Sequence, residues 1–163
     1  MKNLFKFNKI LIFLLLFSCN KTDSSTLTEK EIVQLKDDVL KRGSQSSYAR
    51  LEYYYRNSVN YIEILPYSLV MINKFNSKYS YTSILEVIVK MNNEGKYELS
   101  EIKNLNKGDR DFVIYYLFKG VDQEDPESTK VVSELYKYGW GVSKNLKKSD
   151  SLYSSYENMM WGK

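Results

Sequence analysis

The chain has no histidine and only one cysteine among its 163 residues. Those absences remove the commonest general base, the commonest zinc ligand and any internal disulfide, so packing alone must hold the fold. Alanine occurs once, at Ala49, and proline twice. No apolar run reaches the roughly twenty residues that a membrane span needs. Charge of one sign is also scarce: the whole chain carries +4, and Lys2, Lys6 and Lys9 precede position 19 with no acid beside them, leaving +1 after it. A near-neutral chain has no electrostatic footprint for nucleic acid, and no nucleic-acid partner is expected. Acidic neighbours occur at Asp37-Asp38 and Glu124-Asp125, but consecutive residues point to different sides of a helix and no calcium-loop pattern accompanies them. They read as solvated or capping acids. No catalytic residue, metal or cofactor is assigned, and an enzyme is not expected.

What is present begins at the N-terminus. Three lysines precede the apolar run Ile10–Phe17, which ends in Leu16-Phe17-Ser18-Cys19. The run is too short to span a bilayer and reads as the centre of a cleaved export signal over 1–18. A small residue followed by the lone cysteine resembles the lipobox of a bacterial lipoprotein, although Phe17 stands where that pattern usually has a small residue. The resemblance implies that Cys19 becomes the first mature residue and carries acyl chains (palmitate), which hold the protein stably when there are two or three. Asn20 is not the aspartate that retains some lipoproteins at the inner membrane, so the resemblance favours the outer membrane. Residues 19–27, polar and rich in serine and threonine, read as a flexible tether.

From residue 28 to 163 the pattern is helical throughout. Thr28-x-x-Glu31 has the form of a capping box, and Ile32, Leu35 and Val39 follow at helical spacing before Lys41-Arg42-Gly43. Tyr48, Leu51 and Tyr55 mark a second helix. Pro66 opens a third, with Leu69, Ile72 and Phe75 on one side and Asn76 as its stop. Tyr81, Ile84, Leu85 and Ile88 define a fourth; β-branched content argues for a strand here, but the period is nearer 3.6 than 2. An insertion over 91–107 breaks the rhythm, with a single helical turn expected around Ile102. Phe112, Tyr115 and Tyr116 predict a fifth helix ending at Gly120. Asp125-Pro126 opens a sixth with Val132, Leu135 and Tyr136 inward, and a seventh runs from Asn145 through Leu152, Tyr153, Tyr156 and Met160.

Short helices joined by tight turns invite a search for repeats. Counting from Gly43, a serine stands at +4 (Ser47), an aliphatic residue at +8 (Leu51) and an aromatic one at +12 (Tyr55). From Asn76 the same offsets give Ser80, Ile84 and Ile88, and from Glu124 they give Ser128, Val132 and Tyr136. The last unit continues through Gly139-Trp140-Gly141-Val142, Asn145 and Lys148-Ser149. It resembles the Sel-one-like repeat, a relative of the tetratricopeptide repeat, in its tyrosine, both glycines, valine and lysine. Family alanines are serines here, with hydroxyls expected to return to a carbonyl one turn back. The resemblance implies an all-α fold of antiparallel helix pairs stacked as a small solenoid, monomeric, acting as an adaptor that binds another protein.

Fifteen tyrosines are the strongest compositional oddity. Tyrosine offers a large rigid surface with a polar tip and is enriched at binding hot spots. Tyr48, Tyr55, Tyr81, Tyr115 and Tyr136 fall on apolar stripes and are expected inward. Tyr53, Tyr54, Tyr67 and Tyr138 fall off them and are the candidate protein-binding residues, with Trp140 either a contact residue or a plug over the last helix pair. The expected function is a lipid-anchored repeat scaffold in the bacterial cell envelope, in one version an immunity or inhibitor protein. The rivals are cell-wall fragment binding, an envelope enzyme, or a structural accessory of an outer-membrane complex.

Overall fold

The computed structural model describes residues 27–162. The signal segment 1–18, Cys19 and nearly all of the tether lie outside the described residues. Within them every regular element is helical: α1 Glu29–Arg42, α2 Gln45–Arg56, α3 Leu65–Phe75, α4 Tyr81–Asn92, α5 Lys107–Asp122, α6 Pro126–Tyr138 and α7 Leu146–Trp161, with 3-10 turns at Tyr61–Ile64 and Leu99–Asn104. The second of these is the helical turn expected around Ile102, and it buries that residue completely.

The helix ends form where side chains satisfy orphan backbone groups. Thr28 and Glu31 close a complete capping box on α1, which satisfies two amide hydrogens that the helix cannot. Ser44, Asn106, Asp125 and Asn145 cap α2, α5, α6 and α7 through their side chains. Gly43 and Asn76 end α1 and α3 in the left-handed conformation, where a turn can reverse the chain.

Two clusters make the core. Leu35, Val39, Tyr48, Leu51, Tyr55, Ile64, Met71 and Val87 join α1, α2 and α3 to one side of α4. The larger cluster joins the other side of α4 to α5, α6 and the insertion through Ile84, Leu85, Val89, Ile102, Leu105, Val113, Leu117, Val132 and Leu135. α4 is therefore buried on nearly all sides, as an almost uniformly apolar helix must be. That central position explains the strand-like run of Ile84–Val89.

Four of the residues that marked α5 and α7 face outward, Tyr115 against the inward expectation. Tyr115 is 60% exposed and Phe112 also faces solvent; the buried stripe of α5 is Val113, Tyr116, Leu117 and Gly120. Tyr153 and Met160 on α7 are exposed as well, and Ser149 is that helix's one buried residue. α7 packs on α6 alone among the closely contacting helices, so one narrow face suffices.

Candidate protein-binding surface

The three repeat origins share a backbone conformation. Gly43, Asn76 and Glu124 have φ of 62°, 51° and 55°. The next residue in each unit is Ser44, Ser77 or Asp125, and each pairs with the serine three positions on. Ser44 donates to Ser47 at 3.0 Å, Ser77 and Ser80 lie 3.1 Å apart, and Ser128 donates to the Asp125 carboxylate. These repeat serines thus bond the side chain three positions back, which is the helix cap in the first and last units, and not the carbonyls expected from sequence. Burial of Asp125 pushes its carboxyl above the usual range, against the pull of the Ser128 amide and hydroxyl. In the middle unit α4 begins only after Ser80, a departure from the other two units.

α2 and α4 are joined by a seam of polar groups. Tyr48 reaches Ser68 and Ser83, each at 2.9 Å, and Ser83 donates to Glu52. Burial, with the Glu52 charge nearby, pushes the Tyr48 hydroxyl up to about 12. Outside this buried set, Arg56 pairs with Glu52 at 2.8 Å and with Glu86 at 3.0 Å, and Lys90 pairs with Glu86 at 2.6 Å. Lys90 also donates to the Arg56 carbonyl at 3.0 Å. The remaining cavity here is about 10 Å³, room for a single water at most. The seam is filled and its charges are matched.

The sequence-selected aromatics separate into different surroundings. Tyr53 is exposed on α2. Tyr54 and Tyr67, expected to be free, instead pack on the N-terminal core. Tyr54 sits edge-on to Tyr55 with centroids 5.1 Å apart. The Lys36 ammonium lies 5.5 Å from the Tyr67 centroid and 5.6 Å from that of Tyr55, and hydrogen bonding to the Tyr55 hydroxyl raises its pKa. These rings were off the stripe of their own helices, but α1 packs on both α2 and α3 and covers the second flank.

At the other end, Tyr138 is 50% exposed and stacks on Trp140, centroids 4.5 Å apart at 22°. Trp140 is half-buried and rests on the larger core, so it plugs the helix pair and supports the exposed tyrosine at once. A groove of about 290 Å³ opens between α6 and α7 beside this stack, lined by Ser133, Glu134, Lys137, Tyr138, Ser149, Asp150 and Tyr153. A second groove of about 250 Å³ lies between α1 and α2. Its acids are already engaged, Glu31 with Arg50 at 3.6 Å and Asp38 with Arg42 at 3.3 Å.

Two site residues escaped the sequence reading. Tyr153 walls the α6/α7 groove; with Leu146 and Met160 it makes a seven-residue period along one edge of α7, a signal that was legible. Tyr97, in the insertion, is 41% exposed. Desolvation of its hydroxyl, with Glu86 and Glu134 close by, pushes it up to about 12. The insertion therefore lies against the α4 and α6 acids, which no local pattern announces.

Among the described residues no group of three or more His, Cys, Asp or Glu side chains is placed to hold a metal ion, and no helix is long and apolar enough to cross a membrane. No protein-family model matches this chain, and neither a curated protein nor a solved structure matches it.

Proposed function

We propose that this protein is a lipid-anchored scaffold of Sel-one-like helix pairs that binds another protein in the bacterial cell envelope. The observation that carries the reading is the threefold recurrence, at Gly43, Asn76 and Glu124, of a left-handed residue followed by a polar side chain bonded to a buried serine three positions on, a side chain that also caps the helix in the first and last units. In this reading α4 pairs with α5 and α6 with α7, while α1 packs on both α2 and α3 in the first unit; α2 meets α4 through Arg56 and Glu86, and α3 meets α5 through Asn73 and Tyr116, 3.1 Å apart. In a solenoid each pair leaves an apolar face for the next to cover, and α4, closed between the two core clusters, suits that use. The exposed, rigidly supported Tyr138 supplies the kind of anchor that dominates protein interfaces.

Anchoring rests on the sequence of the export signal and Cys19. Cys19→Ser in the full chain should move the protein from the detergent phase to the aqueous phase, because one cysteine carries the whole attachment. Unchanged partitioning would refute the anchor. For the scaffold, a photo-crosslinking amino acid at Tyr138 in the full chain, expressed in its native envelope, should give one discrete protein adduct. The same group at Val59, 91% exposed on the α2–α3 turn, should give none. Equal labelling at both positions would sink the scaffold reading.

A further inference from the structure

We propose that the groove between α6 and α7 is a receptor for a single arginine side chain of the partner, held between the rings of Tyr138 and Tyr153 by Glu134 and Asp150. The inference rests on the scaffold reading and deepens it. At about 290 Å³ the groove is at the small end of binding pockets, suited to one long side chain with its flanking backbone. Its charge is what selects the occupant. Three of the four lysines on α6 and α7 lie over tyrosine rings: Lys130 is 5.6 Å from the Tyr156 centroid, Lys148 5.1 Å from that of Tyr136 and Lys137 5.4 Å from that of Tyr138. Among the described residues Glu134 and Asp150 have no cation within ion-pair distance. The α1/α2 groove, similar in size, has both its acids paired. The α6/α7 groove therefore offers two carboxylates outside any ion pair beside exposed aromatic rings, with Lys137 as the one cation in its lining.

A planar guanidinium fits that set better than an ammonium, since it can stack on a tyrosine and donate to two carboxylates in one geometry. Lys137 already places a cation over Tyr138, which shows that the ring accepts one. It also means that an arriving arginine must displace it.

The test uses the full chain in detergent and a capped five-residue peptide of glycine and serine around one central arginine, titrated by calorimetry. The peptide with citrulline, the neutral isostere, should bind about tenfold more weakly or worse, one decade being the loss of a single good charged contact. Glu134→Gln and Asp150→Asn should each weaken the arginine peptide several-fold with unchanged melting temperature. Lys137→Met should tighten it by clearing the ring. Equal affinity for arginine and citrulline in the unaltered chain overturns the proposal, even if the variants fold poorly. A complex no tighter in Lys137→Met overturns it too. A Tyr138 adduct in the envelope together with citrulline-indifferent peptide binding would leave the scaffold standing and this inference refuted.

Discussion

Gly141→Val probes the turn on which the α6/α7 groove depends, and its cost can be worked from two separate terms. Gly141 has φ of 72°, a region that a β-branched residue occupies at a cost of about 1–3 kcal/mol. A Cβ at this position would lie 2.8 Å from Ile102 Cγ2, 3.0 Å from Ile114 Cδ1 and 3.2 Å from Arg110 Cδ. The arginine can swing away. Ile102 cannot, because it is fully buried in the larger core, so overpacking adds about 1–3 kcal/mol. The total is about 2–6 kcal/mol, and a loss near the middle of that range would lower the melt by roughly 10–20 °C in a domain of this size.

The two terms separate in a double-mutant cycle measured by urea denaturation. Ile102→Ala opens a cavity and destabilises on its own, but it removes the methyl that the valine meets. The double variant should therefore lose less than the sum of the singles, with a coupling of about 1–3 kcal/mol. Strict additivity would mean that Ile102 and Gly141 do not press on each other, and that the insertion does not brace the last turn. A Gly141→Val melt within a degree of the parent would refute the whole argument, conformation and contact together.

Two further outcomes follow from burial and charge. Tyr54→Ala should cost about 2 kcal/mol by opening the N-terminal core while leaving partner capture unchanged, whereas Tyr138→Ala should cost about 1 kcal/mol or less and abolish capture; equal melts for the two would contradict their different surroundings. Asp125 has a folded pKa raised above 3.8, chiefly by burial, so the folded state holds its proton more tightly and this group's contribution to stability falls as pH rises from about 3.8 through the folded value. Asp125→Asn keeps an N-cap and loses that slope, so the gap in unfolding free energy between variant and parent should widen across that window in urea titrations and then level; parallel pH profiles would show that the buried carboxyl costs nothing.

Helix ends were more legible than helix faces. Thr28-x-x-Glu31, Pro66 and Asp125-Pro126 announced their helices because a cap is decided by residues within one turn of each other. Faces depend on how many neighbours a helix has. A stripe of i, i+3, i+4 assumes one covered side, which fails for α2 and α3, where α1 covers a second flank and takes in Tyr54 and Tyr67. On α5 the error ran the other way: Phe112 and Tyr115 make a convincing aromatic stripe, but the close approach to α6 is made at Gly120, where an added Cβ would lie 2.7 Å from Ser128 Cβ. A small residue facing a small residue, with no hydrophobic signal at all, set the orientation of that helix. The serine offsets found from Gly43 and Glu124 were the trace of the same requirement.

The energetics of the polar groups then decide where along the array a partner can be bound. Along the α2–α4 seam, Glu52, Arg56, Glu86 and Lys90 already satisfy one another in a half-buried network, and a ligand entering there would have to break charged contacts and leave at least one group without a partner, a loss larger than a typical new hydrogen bond restores. The α1/α2 groove meets the same objection more weakly, since its ion pairs are exposed and contribute little, yet its acids remain matched. At α6 and α7 nothing must be broken first except the contact of Lys137 with the Tyr138 ring, an exposed cation–π contact of the order of 0.5–1 kcal/mol. The tyrosines at the two ends thus differ: those near α1 hold Lys36 and close the core, whereas Tyr138 and Tyr153 wall an open groove whose lining cation, Lys137, is held only by that exposed ring contact.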